Sequence, residues 1–245
     1  MKYKEKHFSI KIFAIIILII GNTISCSAQR HQSNTNKNSK NMQIQNISND
    51  FERLDVNELK AKAVKTTGIK VLPDKKTIEI EVYDYQKENE NGDHIRISGD
   101  NYGDFRSEQR IKNAYFNQIK TYYQNGNIKS KGLEFNVFYG SFKKGIWYGF
   151  SPEGKLTSNI DYDIPFKFTF EQLVEFLKKE NIPLKKGPIA QNPGYLTSVK
   201  RNAENGKEPF WQVSWLKASD KIEDIAINGL NGKVISRRVR NYVNN

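Results

Sequence analysis

Two glycine turns set in matching surroundings constrain this chain more than any other feature in it. The first lies in YYQNGNIKSKG, Tyr122–Gly132, where aromatic and β-prone residues flank Asn125-Gly126. Asn-Gly between such runs is among the strongest short-range hairpin signals, because both residues tolerate positive φ. The second lies in GIWYGFSPEGKLTS, Gly145–Ser158, where Ser151-Pro152-Glu153-Gly154 puts proline and glycine where a turn favours them. Aligned on the glycines, Gly126-Asn127-Ile128-Lys129-Ser130 matches Gly154-Lys155-Leu156-Thr157-Ser158, 28 residues on (154 − 126). Aromatics precede both turns. Two tandem hairpins predict an antiparallel sheet, yet a repeat stack needs three or more units to bury a continuous core. The flanking segments must supply the rest.

Those segments carry their own signals. KKTIEIEVYDY alternates Ile78, Ile80 and Val82 with Glu79, Glu81 and Tyr83, the period-2 pattern of a strand with one buried face. Before it, Asp55 with Glu58 three residues on has capping-box spacing and predicts a short helix over 56–64. After it, residues 87–110 are rich in Asn, Gly and Asp, and read as a long surface loop with one brief strand at 95–97. Further on, PFKFTFEQLVEFLKKENIPL predicts a helix: Thr169 as N-cap, Gln172 as its partner, and Phe170, Leu173, Val174 and Leu177 as the buried stripe. Four strands follow, in GYLTSVKR, PFWQVSWLKA, KIEDIAIN and GKVISRRVRNY. The class is α+β: antiparallel hairpin repeats, then a helix packed on a small antiparallel sheet.

The paired hairpins resemble the MORN-like repeats of bacterial YwqK-type antitoxins, over about Tyr115–Asp163. That resemblance implies hairpins stacked into an open sheet and, for function, immunity against a neighbouring toxin. The tail is similar to the PepSY-type module through Trp211, Val213, Ile227, Asn228, Gly229, Gly232, Lys233 and Val234, with Asn228 where that family usually has Asp. This similarity implies a small exported domain and inhibition of a secreted peptidase. Together, residues 50–245 resemble a class of exported Bacteroidota proteins that combine a MORN-like middle with such a tail.

The N-terminus reads as an export signal. Lys2, Lys4, Lys6 and Lys11 precede IFAIIILII, Ile12–Ile20, far shorter than the ~20 apolar residues of a spanning helix. TISCSAQ resembles a lipobox, with Cys26 as the lipidated residue and Thr23 where Leu is usual. Cleavage after Ala28, which would discard the cysteine, stands as the alternative. Arg30–Asn49 is polar and Asn/Ser/Gln-rich, the composition of a flexible tether. The expected organisation is therefore a signal over 1–25, a tether over 26–49, an N-terminal α+β region over 50–164 and the PepSY-like region over 165–245. The protein is expected in the cell envelope, held to a membrane by a lipid and facing the periplasm. Formal net charge is +12, and the signal accounts for +3 of it. The lysines are scattered, so neither charge nor location points to nucleic acid.

Catalytic chemistry finds little support. The histidines are His7, His31 and His94, one each in signal, tether and predicted loop, and the one cysteine is Cys26. Zinc needs three or four converging ligands; no metal and no cofactor is expected. Gly-Lys in NGLNGKVIS and SPEGKLTS lacks the Ser or Thr that a Walker loop requires directly after lysine. Asp161 and Asp163, and Asp100 and Asp104, are carboxylate pairs near turns, read as caps rather than as an acid–base pair. The remaining candidate is an aromatic and basic mixture: Tyr122, Tyr123, Trp147, Tyr148 and Phe150 with Lys120, Lys129, Lys131, Lys143 and Lys144. Strand alternation lets only half the aromatics face a core, and the others would form a recognition surface. The expected function is a non-enzymatic envelope lipoprotein that binds a protein or a surface polymer. Peptidase inhibition and toxin immunity are the alternatives.

Overall fold

Backbone pairing turns about half of the described residues into two antiparallel sheets. The computed structural model describes residues 47–136, 142–189, 194–204 and 206–242. The signal segment, Cys26, His7, His31 and the tether as far as residue 46 lie outside the described residues. Helix α1 (Val56–Lys62) leads into an eight-stranded sheet of β1 (Val64–Val71), β2 (Thr77–Glu88), β3 (His94–Asp100), β4 (Phe105–Arg110), β5 (Phe116–Tyr122), β6 (Ile128–Phe135), β7 (Lys143–Phe150) and β8 (Leu156–Asp161). These strands pair in chain order, each antiparallel to the next, and the sheet stays open. Helix α2 (Phe170–Lys179) precedes a second sheet of β9 (Ser198–Asn202), β10 (Phe210–Ala218), β11 (Lys221–Asn228) and β12 (Val234–Asn241), in the order β12-β11-β10-β9. The α+β class and its arrangement follow the sequence reading.

One hairpin turn occurs four times among the described residues. In Tyr123–Asn127 the first N–H donates to the fifth carbonyl and the fourth N–H donates to the first, each at 2.9 Å. The same two bonds close Ser151–Lys155, Asn89–Asp93 and Leu72–Lys76. The fourth residue is left-handed in every case: Gly126 at φ +84°, Gly154 at +85°, Gly92 at +81° and Lys75 at +67°. Asn125 keeps a negative φ, contrary to the Asn-Gly expectation. Its Oδ1 accepts from the Asn127 N–H and its Nδ2 donates to the Pro152 carbonyl, which links the two aligned turns. A Cβ on Gly126 would meet the Leu54 carbonyl, and one on Gly154 would meet the Phe51 ring. The alignment thus identified two members of a set of four.

Residues 87–110 are not a loop. They finish β2, turn at Asn89–Asp93, and supply β3 and β4. His94 accordingly opens a strand, opposite Arg110. Helix α1 stops at Lys62, two residues short of expectation, because Ala63 is already extended and Val64 begins β1. Asp55 accepts the Glu58 N–H at 2.9 Å, whereas the Glu58 side chain pairs with Lys62 instead of closing the box. In α2 both capping-box bonds form: Gln172 N–H to Thr169 Oγ1, and Thr169 N–H to Gln172 Oε1.

Both helices cover the same face of the large sheet. Tyr83, Phe105, Tyr122, Ile128 and Phe150 form a buried cluster with Leu59 of α1. Phe116, on the same side of β5 as Tyr122 by alternation, packs with Phe135 and Phe142 against Phe170 of α2. From there the core continues through Leu173 and Leu177 to Val199, Trp211, Val213, Ile225 and Ile227 of the small sheet. One aromatic cluster therefore spans the 164/165 boundary. Arg201 of β9 fastens it, donating to the Lys143 carbonyl at 2.7 Å and to Asp163 at 2.6 Å. Its guanidinium lies 4.4 Å from the Phe166 ring centre and 5.2 Å from that of Trp211.

Candidate functional site

The aromatic and basic mixture is largely consumed inside the fold. Tyr122 and Phe150 are buried beneath α1, and burial pushes the Tyr122 hydroxyl up from its ordinary range. Trp147 is buried too: its indole lies over Gly132, where a Cβ would sit 2.3 Å from the ring, and its Nε1 donates to the Leu133 carbonyl at 2.9 Å. Tyr123 is half-buried and donates to the Phe150 carbonyl, while Tyr148 packs at the margin of the α1 cluster. Tyr122, Tyr148 and Phe150 thus gather on the helix side while Trp147 lies on the opposite face, and the five form no single exposed surface.

The lysines are engaged as well. Lys131 is fully buried, donating at 2.6 Å to Glu52 Oε1 and to the Asp50 carbonyl. Lys120 shares the same carboxylate. Burial pushes Glu52 up, but the hydrogen bonds and charges of the two lysines outweigh it and hold its carboxyl below the usual range. Lys129 pairs with Asp104 and lies over the Tyr123 ring; Lys144 pairs with Asp163 and Glu171. Lys143 stands 4.3 Å from the Trp147 ring centre, a cation–π contact. The carboxylate pairs are engaged locally: Asp161 accepts the Asp163 N–H, and Asp100 accepts Lys70 and the Tyr102 N–H. Among the described residues no group of three or more His, Cys, Asp or Glu is placed to hold a metal. A groove of about 540 Å³ beside the start of α1 is lined mainly by polar residues, among them Arg53, Asp55, Lys60 and Gln124.

What remains is the sheet face that carries neither helix. The strand registers run one row of residues across all eight strands: Val64, Asp84, Ser98, Arg106, Thr121, Ser130, Gly149 and Ser158. Every member is half-buried or exposed. From Thr121 to Ser158 the row is a track of small, mostly hydroxyl residues, with Thr121 Oγ1 and Ser130 Oγ 2.7 Å apart. Gly149 keeps the track shallow, since a Cβ there would touch Ser158 Oγ.

Charged cross-strand pairs flank the track. Arg96 grips Asp84 through two bonds, 3.0 and 2.7 Å, and holds that carboxyl below its usual range. Arg106 reaches over β5 to Glu134 at 2.7 Å, while Arg110 and Asn117 both donate to Glu108 at 3.0 Å. These arginines are balanced by carboxylates, so the face orders polar groups without a strong field of one sign. That suits a protein or neutral polymer better than a polyanion. The sequence reading does not reach this surface, because it gives residues 87–110 only a brief strand at 95–97, inside β3, and reads β4 as loop.

Comparison with known protein families, with curated proteins and with solved structures finds no match. Of the repeat resemblance the fold carries the coarser half: a long antiparallel sheet built from successive hairpins.

Proposed function

We propose that this chain is a non-enzymatic binding module of the cell envelope, lipid-anchored through Cys26, that presents the uncovered face of its eight-stranded sheet to a protein partner. The observation that carries the reading is the contrast between the faces. One is sealed by α1, α2 and the aromatic core, whereas the other exposes a row of residues eight strands long that is polar or small from Asp84 to Ser158. A rigid sheet with paired Arg and carboxylate groups offers fixed hydrogen-bonding positions at little ordering cost, which is what a specific interface needs. The tether expected over residues 26–49 supplies reach from the membrane.

Charge reversal tests it. Arg96 and Arg106 are about half exposed, at 45% and 48% of the side chain. Reversing both should change stability by no more than about 2 kcal/mol, because exposed ion pairs contribute about 0–1 kcal/mol each. The R96E/R106E variant should lose the envelope protein that the wild-type chain retains on an affinity column, while Lys200→Glu on the small sheet should keep it. Equal retention by the double variant would remove this face as the site.

A further inference from the structure

The small sheet ends in a strand that nothing among the described residues covers. Strand β12 is the outer strand of its sheet, and all eight of its residues are exposed. Alternate residues of an edge strand direct N–H and C=O groups outward, which makes the edge a template for another strand. Its sequence, VISRRVRN, holds three arginines and no carboxylate, and Lys233 precedes it.

The side chains sort by face. Arg238 lies opposite Asp224 and Arg240 opposite Ile222, on the side away from α2. Val239 lies opposite Glu223, Arg237 opposite Ile225 and Val234 opposite Ile227, on the side towards α2. Arg237 is occupied by Glu180 and Glu223, and Arg240 by Asp224. Arg238 has no carboxylate within ion-pair distance among the described residues. One face of the edge thus carries Arg238 without an ion pair beside Arg240, which Asp224 already holds, and the other mixes exposed valines with a neutralised arginine.

We infer that β12 accepts an extended acidic peptide as a fifth, antiparallel strand of the small sheet. The ligand class follows from the alternation. Directly opposed residues on paired strands sit about 4.5–5.5 Å apart at Cβ, so a strand beside β12 must place an acidic residue next to Arg238, while one next to Arg240 shares that arginine with Asp224. Its intervening apolar residues lie next to Val239 and Val234. Main-chain bonds supply affinity and the alternating side chains supply selectivity, the mode of strand addition. This site is separate from the face of the large sheet, and its occupancy does not depend on that face.

The probe is a fluorescein-labelled octapeptide of alternating Glu and Val, titrated against the protein by anisotropy at low salt. Saturable binding is expected, with the β12 amides slowed in hydrogen exchange. Arg238→Glu should weaken it about tenfold or more, whereas R96E/R106E should bind as wild type does. Of two N-methylated forms, one methylated at every Glu and one at every Val, the form whose methyl groups face β12 should not bind, because it cannot complete the ladder. Undiminished binding of both N-methylated forms would show charge attraction alone and overturn the strand-addition site. So would no binding at all, or self-association of the chain through β12 that the peptide does not displace.

Discussion

Replacing Glu52 with alanine should destabilise the protein by about 3 kcal/mol, the scale of breaking a buried ion pair from one side. Lys131 has no exposed surface, and Lys120, directly opposite it on β5, has little. Two neighbouring lysines on one face repel each other, and burying their charges is costly without an anion between them. Glu52 is that anion, delivered by a segment whose backbone joins the sheet where the Ile128 N–H donates to the Glu52 carbonyl at 3.0 Å. Urea unfolding of Glu52→Ala, Lys131→Met and the double variant forms a cycle. Lys131→Met in the Glu52→Ala background should recover much of the loss, because it removes the stranded charge. A loss below about 1 kcal/mol for Glu52→Ala would mean that Lys131 is satisfied by the Asp50 carbonyl alone.

Arg201→Ala should cost a similar amount, about 3 kcal/mol, from a cavity among the rings and a lost pair. The arginine side chain is 6% exposed and joins the small sheet to the start of β7 and to Asp163. The effect should depend on pH. Burial pushes Asp163 up, but hydrogen bonds from Lys144 and Arg201 outweigh it and hold the carboxyl below the usual aspartate value of 3.8. A depressed folded pKa contributes stability above the unfolded value and loses it as pH falls through the folded one. The difference between wild type and Arg201→Ala should therefore be full at pH 7 and shrink below about pH 4. A difference that stays constant down to pH 2 would assign the whole effect to packing.

The sequence made the turns and the second helix legible because their determinants are local. Gly126 and Gly154 announce a left-handed position, and Thr169 with Gln172 announces a cap, all within a few residues. Strands β3 and β4 were harder, since their alternation sets isoleucine against arginine within a stretch rich in Asn, Gly and Asp. His94-Ile95-Arg96-Ile97-Ser98 does alternate, and that was the signal available. Lysine burial was not readable at all: Lys131 meets a carboxylate 79 residues away in sequence. Nor does alternation say which face a helix will cover. Trp147 is buried on the face opposite the helices, by lying on Gly132, a contact that depends on how β6 and β7 pair.

The two faces of the large sheet can be compared within a single strand. Ser158 lies opposite Gly149 in the exposed row, and its neighbour Asn159 lies opposite Tyr148 on the helix side; both are exposed. A photo-reactive amino acid placed at each position in turn, in the producing cells, reports which face meets the partner. The account predicts a crosslinked protein from position 158 and none from 159. Crosslinking from 159 and not from 158 would contradict it.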